Sequence, residues 1–117
     1  MGKVIIDKPW GFEEIWAQTD DYVGKILHIN KGQRLSLQYH REKEETIRVL
    51  SGILEVVHSR HKDGRLKSTI LREGEIFHVV PMTVHRFCAS QGTDVELLEV
   101  STNYLEDVVR LEDDYSR

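Results

Sequence analysis

Between residues 22 and 102 the chain alternates short apolar-rich runs with breaks marked by glycine or proline. Residues 22–29 stop at Asn30-Lys31-Gly32, residues 34–40 alternate polar with apolar, residues 46–50 run to Ser51-Gly52, and residues 53–58 follow at once. Residues 69–71 stop before Glu73-Gly74, residues 76–80 end at Pro81, and residues 84–89 and 95–100 supply the last two runs. Short strands at regular spacing with tight turns predict an all-β sandwich or barrel. The ends read differently. Residues 1–20, with Pro9-Trp10-Gly11-Phe12 and a second tryptophan at Trp16, are expected to form an N-terminal arm over the barrel at 22–102. In 103–117, Leu105, Val108, Val109 and Leu111 lie near helical spacing among acids, which predicts a short capping helix or turn and an extended tail. No repeat, low-complexity tract or linker composition interrupts 1–117, so one domain is expected.

Composition narrows the function classes. Hydrophobic residues make up 39% and charged residues 31% of 117, ordinary values for a globular domain that has room for one core. No apolar run approaches the roughly 20 residues a spanning helix needs, and the first residues lack a secretory apolar region. A lone cysteine, Cys88, has no partner for an internal disulfide; between Phe87 and Ala89 it reads as a packed thiol. The expected compartment is cytoplasmic. A net charge of −4 argues against nucleic acid, which draws on a basic surface. The basic segment 58–65 has turn chemistry at Asp63-Gly64 and reads as a solvated hairpin end, with no partner set to make ligands of His58 and His61.

Alternation then singles out a polar face. In an uninterrupted strand Arg34, Ser36, Gln38 and His40 share one side while Leu35, Leu37 and Tyr39 share the other. Solvent exposure is the default explanation for such a face. The next strand changes the picture, because Glu45 is in phase with Ile47 and Val49, a side expected to be buried. A buried carboxylate needs a partner, which His40 and a cation could provide.

The spacing Gly32, Gln38, His40, Glu45, Gly52 resembles the first motif of the cupins, with glutamine in place of the first histidine. Gly74, Pro81 and His85 resemble the second motif, with Ala89 where asparagine is usual. The resemblance implies a jelly-roll barrel holding one divalent ion, Zn, Fe, Mn or Ni, by Gln38, His40, Glu45 and His85, with Gln38 the weaker ligand. It extends further. Pro9-Trp10-Gly11, the run from Arg34 to His40, Pro81 to His85-Arg86, Leu98-Glu99-Val100 and the run from Asp107 to Tyr115 together resemble the C-terminal cupin domain of type II mannose-6-phosphate isomerases, a domain commonly fused to a mannose-1-phosphate guanylyltransferase. That family also carries glutamine two residues before its motif histidine. Lys43, Thr46-Ile47 and Tyr115-Ser116-Arg117 depart from its pattern.

This second resemblance implies aldose–ketose isomerisation of a sugar phosphate, in which a base moves a proton between adjacent carbons through an enediol. Lys25, Arg34 and Arg86 are the cations expected to meet the phosphate, Arg34 by virtue of sharing a face with Gln38 and His40. Glu99, in phase with Val95 and Leu97, is the candidate base if that face lies inside the barrel. His78 alternates with Ile76 and Val80 and is a second candidate to point inward. The alternatives are a non-catalytic sugar- or metal-binding module and an iron oxygenase, the latter disfavoured because four protein ligands leave few open positions. A homodimer is expected from the apolar face at Leu35, Leu37 and Tyr39 and from the tryptophan arm.

Overall fold

A computed structural model describes residues 2–60 and 64–115. His61 and Asp63 of the expected hairpin end, and Ser116-Arg117 at the chain end, lie outside the described residues. Among those described the strands are β1 (Val4–Lys8), β2 (Gly11–Gln18), β3 (Tyr22–Ile29), β4 (Leu37–Tyr39), β5 (Glu45–Ser51), β6 (Leu54–Ser59), β7 (Lys67–Leu71), β8 (Ile76–Val79), β9 (Val84–Cys88), β10 (Val95–Thr102) and β11 (Val109–Glu112). They form a six-stranded sheet in the order β1-β2-β3-β10-β5-β8 and a five-stranded sheet in the order β11-β4-β9-β6-β7. Every pairing is antiparallel.

The sheets pack face to face through one apolar cluster. Leu27, Ile29, Ile47, Val49, Val95 and Leu97 come from the larger sheet, and Leu54, Val56, Leu71 and Phe87 from the smaller. Truncating a fully buried member such as Leu97 to alanine would cost about 2–5 kcal/mol. The inward faces are apolar only part of the way. Along β3 the inward residues run Ile29, Leu27, Lys25; along β10, Val95, Leu97, Glu99; along β5, Val49, Ile47, Glu45; along β9, Phe87 and then His85. The register Ile29↔Val95, Leu27↔Leu97, Lys25↔Glu99 aligns these gradients, so the polar ends gather at one end of the barrel.

Seven of the eight runs predicted between 22 and 102 fall within two residues of an observed strand. The eighth, 34–40, is interrupted. Arg34 bridges Cys88 and Gln38 pairs with His85, so four steps on one strand oppose three on the other, which is a β-bulge. The extra residue reverses the phase. Leu35 packs against the main core, while Leu37 and Tyr39 lie on the opposite face in a second cluster with Val84 and Val109.

The expected N-terminal arm is a β1–β2 hairpin that extends the larger sheet through β3. Its turn depends on Gly11, where a Cβ would collide with the carbonyl oxygen of His28. Trp10 is buried in the core, whereas Trp16 is half-exposed and lies so close over Gly24 that a Cβ there would come within 2.7 Å of the indole. The expected C-terminal helix is not formed among the described residues. Turns lead instead into β11, which pairs with β4 and covers Leu37 and Tyr39. Those two side chains are therefore buried within the chain, whereas Trp16, the other part of the expected dimer contact, stays half-exposed.

Candidate metal centre and its cavity

Gln38 lies on β4 and His40 directly follows its end, His85 stands opposite Gln38 on β9, and Glu45 opens β5. One ligand atom each from His40, Glu45 and His85 lies within 4.8 Å of the others, and all three residues are buried. His85 Nδ1 donates to the Thr83 carbonyl at 2.9 Å and His40 Nδ1 to the Asp107 carbonyl at 2.5 Å. A carbonyl only accepts, so these partners put the protons on Nδ1 and leave each Nε2 as a lone pair. Neither Nε2 has a hydrogen-bond partner. They face the Glu45 carboxylate at 3.3 Å from His40 and 3.9 Å from His85. Three acceptors aimed at one another in a buried place repel unless a cation lies between them, and carbonyl-held imidazoles are the usual arrangement around a metal. The donor set therefore fits a divalent ion. Gln38 is their neighbour; its side-chain oxygen accepts from Ser36 Oγ at 2.7 Å and keeps a second lone pair.

A cavity of about 110 Å³ adjoins this cluster, and Lys25, Gln38, His40, Glu45 and Glu99 all line it. Lys43, a departure from the family pattern in sequence, is buried beside them, its Nζ 3.1 Å from Glu45 and 3.2 Å from Glu99. Burial alone would raise the Glu45 carboxyl, but the Lys43 ammonium outweighs it and holds Glu45 below the usual carboxylate range. Burial opposes the charge on Lys43 as well, and the Glu99 and Glu45 carboxylates outweigh it, so Lys43 is held above the ordinary lysine value. Burial, reinforced by the charge of Glu45, pushes Glu99 up. Burial likewise lowers His85, which keeps it neutral. The site thus holds one carboxylate and one ammonium that hold each other charged, and one carboxyl, Glu99, raised above its ordinary value.

Arg34 and Arg86, expected at the phosphate, lie elsewhere. The bulge turns Arg34 to the outer surface, where it forms a two-point pair with Asp114 at 2.7 and 2.9 Å. Arg86 alternates with His85 and so points out of the barrel; it donates to the Leu35 and Glu112 carbonyls and pairs with the Glu112 carboxylate at 3.6 Å. Both clamp the C-terminal segment. Arg34→Ala is expected to lower the thermal midpoint slightly and to leave metal content and the KM for a sugar phosphate unchanged; a large rise in KM would return Arg34 to the binding site. His78 also points outward, because Phe77 and Val79 are the inward residues of β8, and it pairs with Glu44. Burial raises the Cys88 thiol to about 11, as befits a packed cysteine.

Asp107 organises the ligand loop. Its carboxylate accepts from the backbone N–H of Arg41, Glu42 and Lys43 at 3.1, 2.7 and 2.9 Å, while its carbonyl holds His40. Desolvation would raise this carboxyl, yet the three donors outweigh it and hold it below its ordinary value. A depressed folded-state pKa makes this stabilisation complete above the unfolded value of about 3.9 and removes it as the pH falls through the lower folded value. Protection of the amides of residues 41–43, relative to their intrinsic exchange, should therefore fall on acidification through that range. Asp107→Asn should shift the onset to neutral pH, and unchanged protection would contradict the role.

Two antiparallel sheets closing on a histidine–carboxylate cluster, with its glycine-bounded motifs, make this chain a cupin. A family model described as "Mannose-6-phosphate isomerase C-terminal" matches residues 3–113, and the chain belongs to that family. It is 31% identical over 113 residues to the alginate biosynthesis protein AlgA of Pseudomonas aeruginosa, covering 94% of this chain and 22% of that protein. It is 32% identical over 113 residues to a mannose-1-phosphate guanylyltransferase of Escherichia coli K12, again over 94% of this chain and 22% of the other. The chain thus spans about a fifth of the length of these relatives. Among solved structures, the capsular polysaccharide assembling protein CapF of Staphylococcus aureus has the same fold, with a TM-score of 0.82 at 15% identity over 94% of this chain and 34% of the other.

Proposed function

We propose that this chain is a metal-dependent aldose–ketose isomerase acting on a mannose-6-phosphate-like sugar phosphate in carbohydrate biosynthesis. The observation that carries the reading is the convergence of His40, Glu45 and His85, with bare imidazole nitrogens, beside a cavity that His40, Glu45 and the raised carboxyl of Glu99 line. A divalent ion held by Gln38, His40, Glu45 and His85 would supply polarisation of the substrate carbonyl. Glu99 removes the proton from the carbon next to that carbonyl and returns it to the former carbonyl carbon, while the hydroxyl proton of the second carbon passes to the oxygen of the first, so that aldose becomes ketose through an enediol with all atoms conserved. Lys43 holds Glu45 ionised as a ligand and keeps Glu99 oriented. Membership of the family and the sugar-polymer roles in the relatives' names support the substrate class.

A cytoplasmic site of action goes with a sugar phosphate substrate, and no described helix is long and apolar enough to cross a membrane. The homodimer remains part of the proposal on a different surface. β1 is an edge strand with Val4 and Ile5 more than half exposed, which a second copy would cover. Light scattering should give twice 13.6 kDa at micromolar concentration; a mass of one chain would remove the dimer. The function itself is tested by a coupled assay on mannose 6-phosphate with and without chelator.

A further inference from the structure

The cavity is more cationic than the chain that surrounds it. Lys8, Lys25, Lys43 and Arg110 line it against three carboxylates, Glu13, Glu45 and Glu99, in a protein whose net charge is −4. A bound divalent ion would widen that excess. Lys43 is committed to Glu45 and Glu99. Lys25 and Lys8 share the single carboxylate of Glu13, at 3.4 and 3.8 Å, the second too long for a hydrogen bond. The guanidinium of Arg110 has no hydrogen-bond or ion-pair partner among the described residues, although the chain holds 20 acids. The backbone of Arg110 is placed by strand pairing. It is the register partner of Gln38, so its side chain leaves β11 beside that ligand. Lys8 and Arg110 are also among the more exposed residues lining the cavity, which puts them at its mouth, while Lys25 is buried further in.

We propose that Lys8 and Arg110 at the cavity mouth, with Lys25 further in, form an anion subsite that takes the phosphate group of the substrate, in place of the outward-facing Arg34 and Arg86. Arginine supplies a planar fork and the lysines supply point charges, the combination suited to a phosphate monoester dianion. The identity of the ligand rests on the isomerase reading; the anion subsite itself does not. Walls of low dielectric focus this positive field toward the mouth.

Binding of mannose 6-phosphate and of mannose to the metal-loaded full chain tests the subsite. The wild type should prefer mannose 6-phosphate by at least about tenfold at low salt, and the preference should shrink as ionic strength rises. Lys8→Gln and Arg110→Gln should each weaken mannose 6-phosphate by about tenfold while leaving mannose affinity and metal content unchanged. Arg72→Gln, which removes the same charge from the β7–β8 turn, should change neither. No phosphate preference in the wild type, or variants that keep wild-type affinity for mannose 6-phosphate, would overturn the subsite. Phosphate-selective binding that the two variants destroy, in a wild type with no turnover, keeps the subsite and removes the isomerase. Turnover whose KM is untouched in both variants does the reverse.

Discussion

Replacing His85 by glutamine is expected to lower metal affinity by more than about 100-fold, because loss of a direct ligand should exceed the 10- to 100-fold usual for an outer partner. His85 is fully buried, its Nδ1 is held by the Thr83 carbonyl, and its Nε2 has no role within the chain other than to face Glu45. Glutamine keeps most of the volume and so separates loss of the ligand from collapse of the core, which His85→Ala would confound by leaving a cavity. His40→Gln should behave in the same way. Gln38→Ala should weaken binding more modestly, since an amide oxygen is a poorer ligand than imidazole for Zn, Fe or Ni. Metal analysis of the purified variants reads all three. Full retention of metal by the His85 or His40 variant would mean that the bare nitrogens serve some other purpose.

Glu99→Gln should lower kcat by about 100-fold or more with little change in KM or metal content, the pattern of a lost general base. The competing explanation is that Glu99 is only a counter-ion for Lys43, 3.2 Å away. In that case the neutral variant would leave Lys43 short of one carboxylate in a buried place, and the loss would appear in stability and metal affinity, with kcat close to normal. Glutamine keeps the shape of the side chain and removes both its charge and its capacity to take a proton, so the two outcomes separate by readout: kcat alone for a base, stability and metal affinity for a counter-ion.

Much of this arrangement was legible in the chain. Strand limits followed from turn residues at Asn30-Lys31-Gly32, Ser51-Gly52, Glu73-Gly74 and Pro81, and the inward phases of Glu45 and Glu99 followed from simple alternation with Ile47 and Leu97. Arg34 was misplaced because alternation assumes an uninterrupted strand, and nothing local in residues 34–38 announces the bulge that opposes them to 85–88. His78 was assigned to the wrong phase because Ile76 and Val80 look like core residues. Ile76 on the edge strand and Val80 just past its end are both exposed, while Phe77 and Val79 turn inward. The helical spacing of Leu105, Val108, Val109 and Leu111 gave way to tertiary contacts. Asp107 ties that segment to residues 41–43, and β11 buries Leu37 and Tyr39.

Lys43 was available to the same reasoning that found Glu45. It lies two residues earlier, in phase with it, at a carboxylate recognised as needing a cation, yet it was hidden in the charged run 41–45. Lys8 and Arg110 carried no such signal. They come from opposite ends of the sequence, from edge strands of different sheets, and only the fold brings both to the lining of one cavity.

The central claim is tested most directly by following conversion of mannose 6-phosphate to fructose 6-phosphate by the purified chain before chelation, after chelation and after return of a divalent ion. The account predicts turnover that chelator abolishes and metal restores. Metal-loaded protein that binds sugars saturably but turns over no hexose phosphate would contradict it and make this cupin a binding module.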